Sequence, residues 1–215
     1  LNDSLETVLL EPYTYSSHQF GGRTAKLPNN HGGIIGRHWA KGRFYEQALL
    51  RFVRAQTAAG TYLDAGMNIG NHSLFFAKFC KSRTVYAFEP YIRHILRAEE
   101  LFQANDVHEK IRVFNCALSD QPGEISINIA NQPATVPALR VDDLGLTDLA
   151  VMKIDVEGAE DAVLRGAYET LGRCRPLLLV EVFDENYDAN VTILADMGYQ
   201  IGEKFGPATY AFKPI

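Results

Sequence analysis

Three carboxylates stand where apolar runs end: Asp64 in "YLDAGMNIGNHSLFFAKF", Glu89 in "VYAFEP" and Asp155 in "VMKIDVEGAE". The first sits in a dense turn, with Asp64, Gly66, Asn68, Gly70 and Asn71 inside eight residues. Gly66 and Gly70 lack Cβ atoms, so the chain can turn sharply there and lie close to a ligand. The free N–H groups of a following helix would face the same spot. Such a turn is also an ordinary connector, and Glu89 is what shifts the balance. An acid ending the next strand, nineteen residues after Gly70, can accept hydrogen bonds from the vicinal hydroxyls of a ribose. Pro90 suits the first position of a helix and keeps Glu89 extended. The pair points to an adenosine-containing ligand.

The dinucleotide fingerprint G-x-G-x-x-G is absent, because Asn68 occupies the place of the central glycine that admits a pyrophosphate. A ligand without a diphosphate, such as S-adenosylmethionine, suits the turn better. Asp64 agrees, since a carboxylate there can take the ammonium of a methionine moiety, directly or through water, but would repel a diphosphate. Cys116 and Ala117, in "VFNCALSD", are placed to flank an adenine ring, with Asn115 or Ser119 in hydrogen-bonding range; the alternative is a strand running out into a turn. Methyl transfer from a sulfonium then needs alignment, exclusion of water and a base for the hydroxyl proton. The candidates for that base are Asp155, Glu157, Glu181, His72 and the more N-terminal His31 and His38. Glu157 reads as the start of a helix, where Glu160 and Asp161 need no role beyond favouring the dipole. Lys153 reads as the structural partner of a neighbouring acid. Asp155 and Glu181 would suit magnesium, but no third ligand is evident and no metal is expected.

The elements that must position these residues follow from periodicity. Strands are expected near 61–65, 84–89, 111–117, 150–155, 176–183, 198–204 and 209–213, and helices near 70–80, 90–104, 157–171 and 187–197. "GEISINIA", 123–130, reads as an added hairpin arm, and "GRFYEQALLRFVRAQ" carries helical spacing from Phe44 to Val53. Strand–helix alternation at this rhythm predicts an α/β fold with a mainly parallel sheet. The last two runs leave no room for a helix between them and should close it as an antiparallel hairpin. Residues 1–41 show no steady period and read as an irregular entry segment or lid, with 42–215 as one domain. Its Tyr13, His31, His38 and Trp39 mix rings and polar groups suited to an acceptor sugar, or else merely cover the sheet.

Composition narrows the partners. A chain of 215 residues with 47% hydrophobic and 22% charged residues is globular. Its formal charge of −5 and lack of a Lys/Arg run argue against nucleic acid. Three cysteines without a CxxC pair fit reduced thiols, hence a cytoplasmic setting. No apolar run suffices for a transmembrane segment, no signal peptide is visible, and a segment preceding Leu1 is left open.

"YLDAGMNIGNHSLFFA", "VYAFEP", "VFNCALSD", "VDDL", "VMKIDVEGAEDAVLRGA" and "LLLVE" together resemble the FkbM-type S-adenosylmethionine-dependent methyltransferase family over roughly residues 42–182. The most specific stretch runs from Lys153 to Glu160, with Leu164, Gly166 and Ala167 behind it. The resemblance implies a class I methyltransferase, Rossmann-like fold: a seven-stranded sheet, last strand antiparallel, with helices on both faces. It also implies O-methylation of hydroxyls on glycan sugars or polyketide-type products, leaving S-adenosyl-L-homocysteine. Met67 departs from the family's usual Ala, and residues 1–41 match poorly. The expectation is an O-methyltransferase acting on a sugar or sugar-containing metabolite. A polyketide-type acceptor and a cofactor-binding module without turnover are the open alternatives.

Overall fold

In a computed structural model, which describes residues 10–56, 58–183 and 186–215, alternation of side chains along each strand divides the molecule. The strands in chain order are β1 (Tyr15–Phe20), β2 (Arg23–Pro28), β3 (Gly60–Ala65), β4 (Ser82–Phe88), β5 (Ile111–Phe114), β6 (Ala117–Leu118), β7 (Gly123–Ile129), β8 (Gln132–Leu139), β9 (Leu149–Ile154), β10 (Leu177–Glu181), β11 (Tyr199–Phe205) and β12 (Thr209–Pro214). The helices are α1 (Gly33–Trp39), α2 (Gln47–Gln56), α3 (Asn71–Phe79), α4 (Ile92–Ala104), α5 (Glu160–Arg165), α6 (Tyr168–Cys174) and α7 (Tyr187–Asp196). Seven strands form one sheet in the order β11-β12-β10-β9-β3-β4-β5. β12 runs antiparallel to both its neighbours, while β10, β9, β3, β4 and β5 pair in parallel. The strand order reverses between β3 and β9, the place where open α/β sheets bind ligands beyond their carboxyl ends.

β3 is buried throughout, as expected of a central parallel strand with helices on both faces. Tyr62, Val151, Leu179 and Ala211 pack on one face against α2, α3 and α4. Their neighbours Leu63, Met152, Leu178, Val180 and Phe212 pack on the other against α5, α6 and α7. This is the class I methyltransferase arrangement that the sequence predicts, with the closing hairpin inserted beside β10.

Two elements differ from expectation, and a third, the added hairpin arm, is as expected. The segment up to residue 41, whose first nine residues lie outside the described ones, contains a β1–β2 hairpin and α1 rather than irregular chain. Ala25, Leu27 and Trp39 belong to the same core as α2 and α3, so this segment is packed as one body with the sheet and its helices. The helix expected over 157–171 starts later and breaks in two. At Gly166 a Cβ would lie 2.0 Å from the Ser119 carbonyl oxygen, so the chain passes too close for a side chain there. Asp142 then caps the second piece through the backbone N–H groups of Glu169 and Thr170, at 3.1 and 2.8 Å. The arm at 123–130 is a full hairpin, β7–β8, whose inner strand also pairs with β6.

Candidate active site

The same alternation that sorts the core gathers the polar residues. Asp64 follows Tyr62, Lys153 follows Val151, Glu181 follows Leu179, and Thr209 precedes Ala211, each at a spacing of two, and Asp155 stands two beyond Lys153. All five therefore face α2 and α3 at the carboxyl ends of the parallel strands. Register places Asp64 opposite Lys153 and Glu181 opposite Thr209.

Lys153 is the hub. It is 1% exposed, and its Nζ lies 3.0 Å from Asp155 Oδ2 and 3.5 Å from Asp64 Oδ1. Burial opposes the ammonium, but Asp155 and Asp64 outweigh it and hold the pKa above the ordinary lysine value. Asp64 is fully buried, with Oδ2 accepting from Ser73 Oγ at 2.6 Å. It lies beneath the site, enclosed by protein, where the sequence reading has it take an ammonium directly or through water. Asp155 is part-exposed; burial pushes its carboxyl up, while the charge of Lys153 and a hydrogen bond with Glu181 bring it below the usual range. Glu181 is driven the other way, to about 8, by burial, by that bond and by repulsion from Asp155 and Glu157. The two carboxyls are thus pushed apart, Asp155 toward the ionised form and Glu181 toward the protonated one. Glu157, expected at a helix start, lies instead in an exposed loop at φ +58°. Glu160 fastens this loop by accepting from the N–H groups of Val156 and Gly158, both at 3.1 Å, a role beyond the dipole.

The glycine turn answers the cofactor question. Gly66 N–H and Met67 N–H both donate to the Phe88 carbonyl and Gly70 N–H to Met67. Asn68 N–H donates to Glu89 Oε2 at 3.0 Å and Ile69 N–H to the Asn68 side chain at 2.8 Å. Every N–H from Gly66 to Gly70 is engaged within the protein, so the turn offers no nest for a diphosphate. Its glycines serve packing: a Cβ on Gly66 would lie 1.8 Å from the Asp155 carbonyl oxygen, and one on Gly70 would meet the Phe102 ring. Asn68 takes φ +52°, a conformation its side chain tolerates. Glu89, 7% exposed, also accepts from Tyr91 N–H at 2.9 Å. His94 Nδ1 stands 3.5 Å from Glu89 Oε1; a carboxylate has about four acceptor positions, so these partners still leave room for a ribose hydroxyl. Cys116 and Ala117 follow β5 beside this end of the sheet, Cys116 buried and Ala117 part-exposed. The Asn115 amide nitrogen donates to the carbonyls of Glu89 and Pro90, which leaves its oxygen as the group that could meet an adenine. The set fits an adenosyl sulfonium: no phosphate cradle, one acid for a ribose and an acidic crevice beside it.

Several candidate side chains are engaged elsewhere. The Asn71 carboxamide accepts from Trp39 Nε1 at 3.0 Å and Tyr45 N–H at 3.1 Å, and donates to the Tyr45 carbonyl at 3.1 Å. It ties the N-terminal segment to α3, and only its backbone remains for a cofactor. Trp39 is fully buried, and Tyr13 is 7% exposed with its hydroxyl 3.0 Å from His31 Nδ1. These rings pack edge-to-face on one another, with Arg97 over Tyr13. Tyr13 and Trp39 are core, not an open sugar platform, while His31 is part-exposed and burial pushes its pKa down. His38 stays part-exposed with its ring 5.5 Å from that of Tyr45. His72 is 5% exposed, its Nε2 in contact with Glu46 Oε2 at 3.0 Å, which leaves that nitrogen little access to a substrate.

Glu46 is the residue sequence reasoning missed. Its other oxygen, Oε1, accepts from Thr209 Oγ1 at 3.2 Å. Burial raises its pKa, but His72 and Lys153 more than compensate and keep it charged. No metal-holding group of three His, Cys, Asp or Glu side chains occurs among the described residues, and no described helix is long and apolar enough to cross a membrane.

Sheet order, switch point and acidic crevice define a class I methyltransferase-like protein. Residues 64–201 match the model of the methyltransferase FkbM domain, and the chain belongs to that family. It is 25% identical over 167 residues to the 2-O-methyltransferase NoeI of Sinorhizobium fredii, covering 62% of this chain and 68% of NoeI. The crystal structure of methyltransferase FkbM from Methylobacillus flagellatus superposes with a TM-score of 0.59 at 20% identity, over 72% of this chain but 43% of that one. M. jannaschii TYW2, solved with AdoMet, superposes with a TM-score of 0.51 at 14% identity, over 96% and 90% of the two chains. An rRNA methylase of Streptococcus thermophilus is also among the structural matches.

Proposed function

We propose that the chain is an S-adenosylmethionine-dependent O-methyltransferase whose acceptor is a hydroxyl of a sugar or sugar-containing metabolite. The observation that carries this reading is Asp155 held 3.0 Å from the ammonium of buried Lys153 at the switch point of the sheet, with Glu181 at the end of the adjacent strand. When bound, the cofactor supplies an electrophilic methyl on a sulfonium. Glu89 holds the ribose end, and the turn 66–70 sets the floor against which the ligand lies. The acceptor oxygen gains a methyl and gives up its proton, which the Asp155–Glu181 carboxyls receive. Lys153 keeps Asp155 ionised and aimed. The name of NoeI supports oxygen as the acceptor atom, and the family resemblance supports a sugar. Electrostatics supports a neutral acceptor: Asp155, Glu157 and Glu46 crowd around one lysine, and phosphates of RNA would meet repulsion there.

The test is S-adenosylhomocysteine release with three acceptor sets: methyl pyranosides, phenolic polyketide-type aglycones, and an RNA transcript. Turnover confined to pyranosides is the expected result. Turnover confined to phenols or RNA overturns the sugar assignment. Tight cofactor binding without turnover on any set favours a binding module.

A further inference from the structure

Residues 42–46 join α1 to α2, and their contacts are unusual for a connector. Asn71 grips Tyr45 by both backbone groups, N–H and carbonyl, at 3.1 Å each. The next residue, Glu46, takes φ +51°, a left-handed conformation that a glutamate adopts only when its surroundings impose it. What imposes it is visible: one carboxylate oxygen meets His72 Nε2 at 3.0 Å and the other accepts from Thr209 Oγ1 at 3.2 Å. His72 belongs to the first turn of α3, and Thr209 is paired in register with Glu181. The loop is thus stapled across the carboxyl end of β10, beside Glu181. Between these anchors the Tyr45 side chain is part-exposed, with its ring edge-on to His38. Burial and the charges of Glu46, Asp155 and Glu181 all raise the phenol's pKa, which agrees with a hydroxyl kept protonated in their field.

The geometry points to Tyr45 as the residue that meets the acceptor, with Glu46 as the positioning residue that holds it over the Asp155–Glu181 pair. Its ring presents a flat, part-apolar surface of the kind that packs against the face of a hydroxylated ring, and its protonated hydroxyl can donate to a neighbouring acceptor oxygen. Tyr13 and Trp39 are too buried for this contact, whereas Tyr45 is reachable and fixed. The inference rests on the methyl-transfer reading above but not on the acceptor being a sugar.

The experiment compares wild type, Tyr45→Phe, Tyr45→Ala and Glu46→Gln on whichever acceptor of the three sets the wild type methylates. Calorimetry with S-adenosylhomocysteine and thermal melting run alongside. Tyr45→Ala is expected to lower kcat/KM at least tenfold, carried by KM, while S-adenosylhomocysteine affinity stays within twofold. Tyr45→Phe should restore part of the loss, since it keeps the ring. Glu46→Gln removes the charge facing His72 but keeps a group able to accept from Thr209, and should raise KM in the same direction. Its effect on the loop is read without any acceptor. Trp39 is the chain's single tryptophan and shares the Asn71 oxygen with Tyr45, so its emission should shift and its quenching by acrylamide rise. Unchanged KM in Tyr45→Ala overturns the acceptor role. Equal losses of cofactor affinity and melting temperature overturn it too, by showing the loop to be structural. Unchanged Trp39 emission and quenching in Glu46→Gln overturn the positioning role. If no set is methylated, the methyl-transfer reading fails and takes the acceptor role with it, while the Trp39 readout still decides the positioning role.

Discussion

Replacing Lys153 by Met keeps most of the side chain's volume and deletes one charge from the most enclosed ionic group in the molecule. Asp64 is fully buried and Lys153 is 1% exposed, so water cannot compensate the Asp64 charge left behind. Breaking a buried ion pair from one side costs about 3–5 kcal/mol, a large part of the roughly 5–15 kcal/mol that stabilises a typical domain. At about 2–4 °C per kcal/mol for a domain of this size, the melting temperature should fall by about 6–20 °C at pH 7. The loss should depend on pH in a defined direction. In wild type the raised lysine pKa keeps its contribution constant below the ordinary lysine value, so Lys153 itself adds no slope between pH 5 and 8. In Lys153→Met the orphaned carboxyls titrate upward, and an acid with a raised folded pKa loses its stabilising share as pH rises. The gap to wild type should therefore narrow at pH 5 and widen toward pH 8. Adding Asp64→Asn should recover a good part of it, because an amide is neutral and still accepts from Ser73. Calorimetric melts of the three proteins at pH 5, 6.5 and 8 check this. A gap under 2 °C, or one flat across the range, would refute the picture of Lys153 as an obligatory counter-ion.

Glu89→Ala should weaken S-adenosylmethionine binding at least tenfold, from charge-assisted bonds worth about 1.5–3 kcal/mol each; unchanged affinity by calorimetry removes Glu89 from the ribose. Asp155→Asn should lower kcat by about a hundredfold or more and move the rising limb of the pH–rate profile to lower pH. It removes the charge that helps hold the Glu181 pKa near 8, so an unmoved limb would show that Asp155 does not set it. Gly66→Ala should destabilise the fold by more than about 1 kcal/mol, because its Cβ would sit 1.8 Å from a backbone carbonyl at φ +76°; a wild-type melting temperature would contradict this.

How far the sequence could be read depended on the range of each interaction. The central strands β3, β9 and β10 were legible because burial on both faces leaves unbroken apolar runs, and Pro90 marks where Glu89 stops β4. Lys153 was legible as a partner for an acid, because an ammonium inside an apolar strand is too costly to bury without a counter-charge. Glu46 was not legible. It sits in "RFYEQALL", where an acid before a helix is unremarkable, and its partners lie 26 and 163 residues away in sequence. The aromatics of the first forty residues misled for a related reason: composition does not separate rings that pack on one another from rings that face a ligand. Trp39 is resolved only by Asn71, whose amide at the start of α3 looked like part of a ligand-binding turn. The helix expected over 157–171 failed at Gly166, where the apolar rhythm continues but the Ser119 carbonyl occupies the space of a side chain.

The charges of the crevice select among ligands before any shape is considered. With Glu181 holding a proton, Asp155 and Glu46 remain ionised near neutral pH, and Lys153 lies beneath them rather than at the opening. A cationic methyl donor is drawn to such a place, and its arrival should lower the affinity of Glu181 for its proton, since a nearby positive charge favours the ionised carboxyl. On the proposed reading, binding of the donor thus frees the base that the acceptor needs. A neutral hydroxylated acceptor enters without opposing that field, whereas a polyanion must work against it. The same field predicts an order of events: S-adenosylhomocysteine lacks the sulfonium charge, so its binding should take up more protons, or release fewer, than binding of S-adenosylmethionine near pH 7. Calorimetry of both ligands in buffers of different ionisation enthalpy measures that difference directly. Equal proton counts for the two would place the sulfonium away from the Asp155–Glu181 pair, and with it the methyl that the pair is proposed to serve.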